Sequence, residues 1–244
     1  MSLPGLLVTG TDTDVGKTFV ASAILRSLGL SGIAAGALKP LATGAVIDRK
    51  DGIPEDARFL MDALGPRPGV ELSHVVPILL DEPLAPPVAA RRAGWRLTRQ
   101  LIFDRTDAAV AAWTTRSEVL IVEGIGGLLC PIAEDATLAD LASHLDYPLI
   151  IVGRLGLGTL NHTILTVEAA RLRGLRIAGV VLTQPTSGDL GVAGETNPLE
   201  LVRWLRDVPL LGVVPHQANA QSVPASLAAI EWIDLARPSR RAGA

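Results

Sequence analysis

Leu6-Leu7-Val8-Thr9-Gly10-Thr11-Asp12-Thr13-Asp14-Val15-Gly16-Lys17-Thr18 runs from an apolar segment into a polar, glycine-bounded loop that ends in Gly-Lys-Thr. The pattern reads as a strand, a phosphate-binding loop and the start of a helix. A loop of inward-pointing backbone N–H groups opening a helix is an anion site, and polyphosphate suits it. Lys17 then reaches the β and γ phosphates as a mobile charge, and the Thr18 hydroxyl ligates the accompanying Mg²⁺. Thr11, Asp12, Thr13, Asp14, Val15 and Gly16 complete the nucleotide-binding stretch. The common form G-x-x-x-x-G-K-[ST] wants glycine at position 11, where this chain has Thr11, with Gly10 one residue early.

Downstream, Thr18 to about Leu28 carries apolar residues at three- and four-residue spacings, as in a helix packed on a sheet. Ile33 to Leu38 is small and apolar without alternation, which suits a buried parallel strand. A helix is expected from Pro54, after a polar loop at Asp48–Asp51, and another over Thr98–Trp113. Between them His74–Leu80 reads as an edge strand. Glu118–Glu123, Pro148–Val152, Ile177–Leu182 and Pro209–Val214 read as further strands, with helical stretches around Thr137–His144, Thr159–Arg173 and Pro198–Leu205. Alternation of this kind predicts one α/β domain over residues 1–244, a doubly wound, mostly parallel sheet flanked by helices. The segment after about Pro224 reads as a poorly ordered tail.

Composition narrows the class. No apolar run approaches the roughly 18–20 residues of a membrane span, and the first residues show no signal-peptide pattern, so a soluble, cytoplasmic protein is expected. A single cysteine, Cys130, excludes an intrachain disulfide framework. A net charge of −3 without a basic cluster argues against nucleic acid. Lysine occurs only at Lys17, Lys39 and Lys50, so arginine serves wherever a generic cation suffices and the lysines draw attention.

Three strand ends converge on the carboxyl edge of such a sheet, where open α/β folds place their ligands. They carry Gly10–Thr18, Lys39-Pro40-Leu41-Ala42-Thr43-Gly44 and Glu123-Gly124-Ile125-Gly126-Gly127. Glu123 admits two readings, a magnesium-anchoring acid or a cap for the next loop. Asp56 is a second metal ligand or a helix-start acid. Leu157-Gly158-Thr159-Leu160-Asn161-His162 is a ligand-facing helix approach or a glycine turn with Thr159 as N-cap. The four histidines show no zinc spacing.

Together these segments resemble the dethiobiotin synthetase family of P-loop NTPases. Its loop G-T-D-T-x-V-G-K-T stands unbroken as Gly10 to Thr18, its K-P-x-x-[ST]-G as Lys39 to Gly44, and its V-E-G-x-G-G as Val122 to Gly127. E-P-x-x-P is Glu82 to Pro86, L-G-x-x-N-H is Leu157 to His162, and P-L-L-G-x-x-P is Pro209 to Pro215. The resemblance implies an ATP- and Mg²⁺-dependent homodimer that joins CO₂ to 7,8-diaminopelargonic acid and closes a ureido ring. It implies Lys17, Lys39 and Thr43 as catalytic groups and Thr18, Asp56 and Glu123 as metal ligands. Gln184 and Pro215 would join the nucleotide loop. Substrate would meet Thr43, Gly124, Gly126 and Gly127, with Gly158, Thr159 and Asn161 acting from the second subunit. Switch ATPases of the same branch carry a signature lysine at the position of Asp12, which argues against that alternative. Two positions depart from the family. Ala85 replaces a hydroxyl residue, and Gln184-Pro185 stands where the family usually presents a base-reading asparagine. Gln184 is a methylene longer and Pro185 restricts its backbone, so looser base selection is expected, with GTP or CTP supporting turnover.

Overall fold

The computed structural model describes residues 3–44, 53–216 and 222–237. The loop expected at Asp48–Asp51, Lys50 and the last residues of the tail lie outside them. Six strands form the central sheet: β1 (Gly5–Gly10), β2 (Ala35–Leu38), β3 (Val119–Gly127), β4 (Leu149–Arg154), β5 (Ile177–Thr183) and β6 (Leu210–Val214). Their order is β6-β5-β4-β1-β3-β2, and every neighbouring pair is parallel. The chain builds one side of β1 first and then the other, so β1 stands at the reversal, where doubly wound sheets open a ligand crevice. All of β1 and β2 is buried, including residues whose side chains point to opposite faces. Both faces are therefore covered, which is why these strands read as apolar runs rather than alternating ones.

The principal helices are α1 (Lys17–Leu30), α2 (Glu55–Leu64), α3 (Pro86–Arg92), α4 (Arg99–Thr114), α5 (Leu138–Leu145), α6 (Thr159–Leu172) and α7 (Gly191–Leu205). Local signals set several starts. Thr98 accepts a hydrogen bond from the Leu101 N–H ahead of α4, and Thr137 and Asp140 form a reciprocal cap at α5.

Four expectations are corrected. The edge strand over His74–Leu80 is instead a helical turn, Leu72–Val75, followed by Leu79–Leu80, which among the described residues pairs only with Ala42–Thr43. Pro77 has no N–H for a ladder, and the turn is fixed by Trp113 Nε1 donating to the His74 carbonyl at 3.0 Å. Strand β3 continues through the glycines to Gly127. Helix α7 starts at Gly191, not Pro198, and is anchored where Asn197 Nδ2 donates to the Gly156 carbonyl at 2.7 Å. The chain also stays ordered beyond Pro224. Short helices at Ala225–Ala228 and Trp232–Ala236 bury Leu227 and Trp232 against β6, α1 and β1. Scattered apolar residues in a short terminal segment carry little periodic signal, but together they cover one end of the core.

Candidate functional site

Strand register assembles the site. Leu38 pairs with Val122, so the residues that follow them, Lys39 just past β2 and Glu123 within β3, stand side by side. Glu123 in turn pairs with Val8, two residues before the loop. Lys39 Nζ lies 2.8 Å from Glu123 Oε1 and 2.6 Å from Asp56 Oδ2, the latter delivered by the first turn of α2. Thr18, in the first turn of α1, places Oγ1 2.9 Å from Asp56 Oδ1 and 2.7 Å from Glu123 Oε1.

The loop closes tightly on itself. Lys17 Nζ donates to the Asp12 carbonyl at 2.8 Å. Gly16 is left-handed at φ 87° and Asp14 at φ 56°. Thr183, at the end of β5, donates its hydroxyl to the Val15 carbonyl at 2.6 Å, so a third strand fastens the loop. The early glycine has its reason here. A methyl group on Gly10 would sit 2.7 Å from the Asp12 carbonyl oxygen and 2.9 Å from Val15 Cγ2. Gly10→Ala is expected to strain the loop by about 1–3 kcal/mol and to weaken nucleotide binding at least about tenfold by calorimetry.

Electrostatics follow from burial. Lys39 and Glu123 are 3 % and 1 % exposed, whereas the Asp56 side chain is 45 % exposed. Burial pushes the Glu123 carboxyl up, and the neighbouring charge of Asp56 adds to this against the opposing pull of Lys39. Burial disfavours the Lys39 ammonium, yet Glu123 and Asp56 hold it above the ordinary lysine value. At Asp56, too, burial opposes charge, and Lys39 overcomes it and keeps the carboxyl low. Lys17 is pushed down by burial.

The residues fit a hard divalent cation. Thr18 has one hydroxyl hydrogen for two carboxylate neighbours, and Glu123 Oε2 is buried without a hydrogen-bond partner among the described residues. A cluster of carboxylate and hydroxyl oxygens is the ligand chemistry Mg²⁺ takes beside phosphates. Thr18, Asp56 and Glu123 would hold it.

A cleft of about 870 Å³ joins these groups, with Lys17, Thr18, Lys39, Thr43, Asp56 and Glu123 in its lining. Pro83–Pro86, Ile125, Gly126 and Cys130 also line it. Of the glycines expected near substrate, Gly126 lines the cleft. Gly124 faces Leu138, where a Cβ would come within 2.5 Å, and Gly127 backs onto the Gly10 and Thr11 carbonyls. Gly158 and Asn161 are exposed at the start of α6, away from the cleft lining. Thr159 borders a small recess with Thr11, Asp12 and Arg154. Gln184 and Pro215 line a side pocket of about 170 Å³ with Phe19 and His216, sharing Gly16 and Pro185 with the cleft. Sequence reading missed Ile125, Cys130, Phe19, His216 and the Thr183 fastener. Phe19 and Ile125 look like core residues by spacing, and Thr183 is visible only as a polar end to an apolar strand.

A family model described as an AAA domain matches residues 4–223. The chain is 41 % identical to the ATP-dependent dethiobiotin synthetase BioD of Anaeromyxobacter dehalogenans, over 84 % of this chain and 92 % of that protein. It is 39 % identical to the enzyme of the same name from Ralstonia nicotianae, covering 86 % of this chain and 87 % of that protein. Among solved structures, chloroplast FtsY from Physcomitrella patens aligns with a TM-score of 0.48 at 15 % identity, over 98 % of this chain and 66 % of that one. With its Gly10–Thr18 loop, Lys39 and Glu123 gathered in one cleft, the chain belongs to the ATP-dependent dethiobiotin synthetase family.

Proposed function

We propose that the protein is an ATP- and Mg²⁺-dependent ligase of biotin biosynthesis, converting 7,8-diaminopelargonic acid and CO₂ to dethiobiotin with release of ADP and phosphate. The observation that carries this reading is the cleft. Its lining holds the phosphate loop with buried Lys17, the buried Lys39 and the Thr43 hydroxyl beside it, and the apolar residues Pro83–Pro86 and Ile125.

The chemistry makes use of all of these. One amine adds to CO₂, forming an N–C bond and releasing a proton. An oxygen of the resulting carbamate attacks the γ-phosphorus, and the bond to ADP breaks. The second amine then attacks the carbonyl of the carbamic–phosphoric anhydride and gives up a proton, phosphate leaves with the C–O bonding pair, and the ring closes. Negative charge spreads over the phosphoryl oxygens during transfer, and Lys17 and Lys39 stand ready to oppose it. The loop N–H groups hold the remaining phosphate oxygens. Thr18, Asp56 and Glu123 would hold Mg²⁺, which would supply further positive charge at the phosphates. Thr43 orients the carbamate, and Pro83–Pro86 with Ile125 shelter the aliphatic chain from water.

The protein acts as a homodimer in the cytoplasm. Supporting the dimer, Leu172 on α6 and Trp204 on α7 are 85 % and 65 % exposed on helices that pack together, and Leu157 beside Gly158 is 94 % exposed. Apolar exposure on this scale suits a covered face. Gly158, Thr159 and Asn161 then meet the substrate carboxylate of the neighbouring subunit. Supporting the location, no helix among the described residues is long and apolar enough to cross a membrane.

Phosphate release from ATP is expected only when diamine and bicarbonate are both present, since the acceptor is a carbamate made from the two. Rapid release without the diamine would point instead to a nucleotide switch.

A further inference from the structure

Two groups in the cleft share one carboxylate oxygen. Lys39 Nζ lies 2.8 Å from Glu123 Oε1 and 2.6 Å from Asp56 Oδ2, while Thr18 Oγ1 meets the same Glu123 Oε1 at 2.7 Å and Asp56 Oδ1 at 2.9 Å. Lysine, threonine and the two acids thus close a ring. A cation shared by Thr18, Asp56 and Glu123 therefore competes with an ammonium that is already seated on both acids. With that ammonium in place, an arriving divalent ion meets one net negative charge instead of two. Lys39 cannot make room by turning into water. It is 3 % exposed, and a buried ammonium parted from its carboxylates needs another anion to receive it. A phosphoryl group held beside Lys17 in the same cleft is such an anion.

We infer that Lys39 is the resident counter-ion of the metal site, barring a divalent cation from the free protein and giving way only when nucleotide brings a phosphoryl group to take its ammonium. The inference rests on the proposed reading of Thr18, Asp56 and Glu123 as metal ligands and adds a second task to Lys39. Metal and nucleotide then bind with positive coupling, each raising the affinity of the other by the same factor. Once phosphate has left, the ammonium returns to Glu123 and Asp56 and loosens the metal that remains with ADP.

Mn²⁺ serves as the probe, because carboxylate and water ligands suit it as they suit Mg²⁺ and its unbound fraction is read by electron spin resonance without turnover. The nucleotide-free parent should bind it at least about tenfold more weakly than Lys39→Met, whose side chain keeps much of the length and frees the oxygens. Lys17→Met is the control for charge alone. It removes an equal charge that rests on the Asp12 carbonyl and on neither carboxylate, so it should shift Mn²⁺ affinity much less. A crystal structure of the parent with Mn²⁺ and a non-hydrolysable ATP analogue gives a reading that depends on no variant: Nζ should stand out of hydrogen-bond reach of Glu123 and Asp56 and against the terminal phosphate. Equal Mn²⁺ affinity in the parent and Lys39→Met, an equal gain in Lys17→Met, or an ammonium still on Glu123 beside bound metal would overturn the inference. Metal bound away from Thr18, Asp56 and Glu123 would overturn the ligand reading and the inference with it. Failure to form dethiobiotin with these metal results intact would overturn the proposed reaction alone.

Discussion

Replacing Lys39 with alanine is expected to lower turnover by about 10²–10³ while leaving the affinity for ADP within a few-fold of the parent. Lys39 is not part of the phosphate loop. It reaches the cleft from the end of β2, between the carboxylates of Asp56 and Glu123, on the side that Thr43 lines. In the proposed reaction its charge would bear on the transferring phosphoryl group and the acceptor, not on the phosphates that remain with ADP. Lys17 makes the contrasting case. It ties its own loop shut through the Asp12 carbonyl, so Lys17→Ala should lose nucleotide affinity and turnover together. Lys39→Ala also leaves Glu123 buried without its cation, and breaking a buried pair costs about 3–5 kcal/mol. Kinetics should therefore be run well below the variant's melting temperature. The vacated carboxylates make a better cation site, so added Mg²⁺ should raise Tm more in Lys39→Ala than in the parent. Unchanged turnover in the variant would remove Lys39 from the chemistry.

Much of this arrangement could be read in the chain beforehand because it rests on local pattern. Apolar runs without alternation marked the buried parallel strands, and the ends of three of them carried the polar residues that converge. What could not be read was long-range pairing. That Lys39 lies against Glu123 follows from Leu38 pairing with Val122, a register that neither segment specifies alone. The Gly124–Gly127 run after the strand read as backbone facing the substrate. The strand continues through it, so Gly126 lines the cleft while Gly124 makes room for Leu138. The edge strand over His74–Leu80 failed for the opposite reason. Its β-branched and apolar composition favoured extension, but Pro77 and the capping contacts of Glu71 and His74 decided the local backbone.

Glu123→Gln should abolish the Mg²⁺-dependent part of nucleotide binding and cut turnover by more than about 100-fold, with the fold retained. The glutamine fills the same space midway along β3, and its carbonyl oxygen can still accept from Lys39 and Thr18, the contacts Oε1 makes now. What disappears is the full negative charge and the bare oxygen Oε2, which is buried with no other partner among the described residues. A hard cation shed of some of its water requires that charge more than a neutral amide can supply, and altering even groups that only support metal ligands costs about 10–100-fold. Asp56→Asn provides the internal comparison. Its side chain is 45 % exposed, so water can replace part of what the carboxylate gives, and its loss should be nearer tenfold. Titrating ADP affinity against Mg²⁺ by calorimetry separates the cases without any turnover. The parent should gain affinity with metal, Asp56→Asn should gain less, and Glu123→Gln should gain none. A full metal-dependent gain in Glu123→Gln would show that the buried carboxylate serves only to hold Lys39 in place.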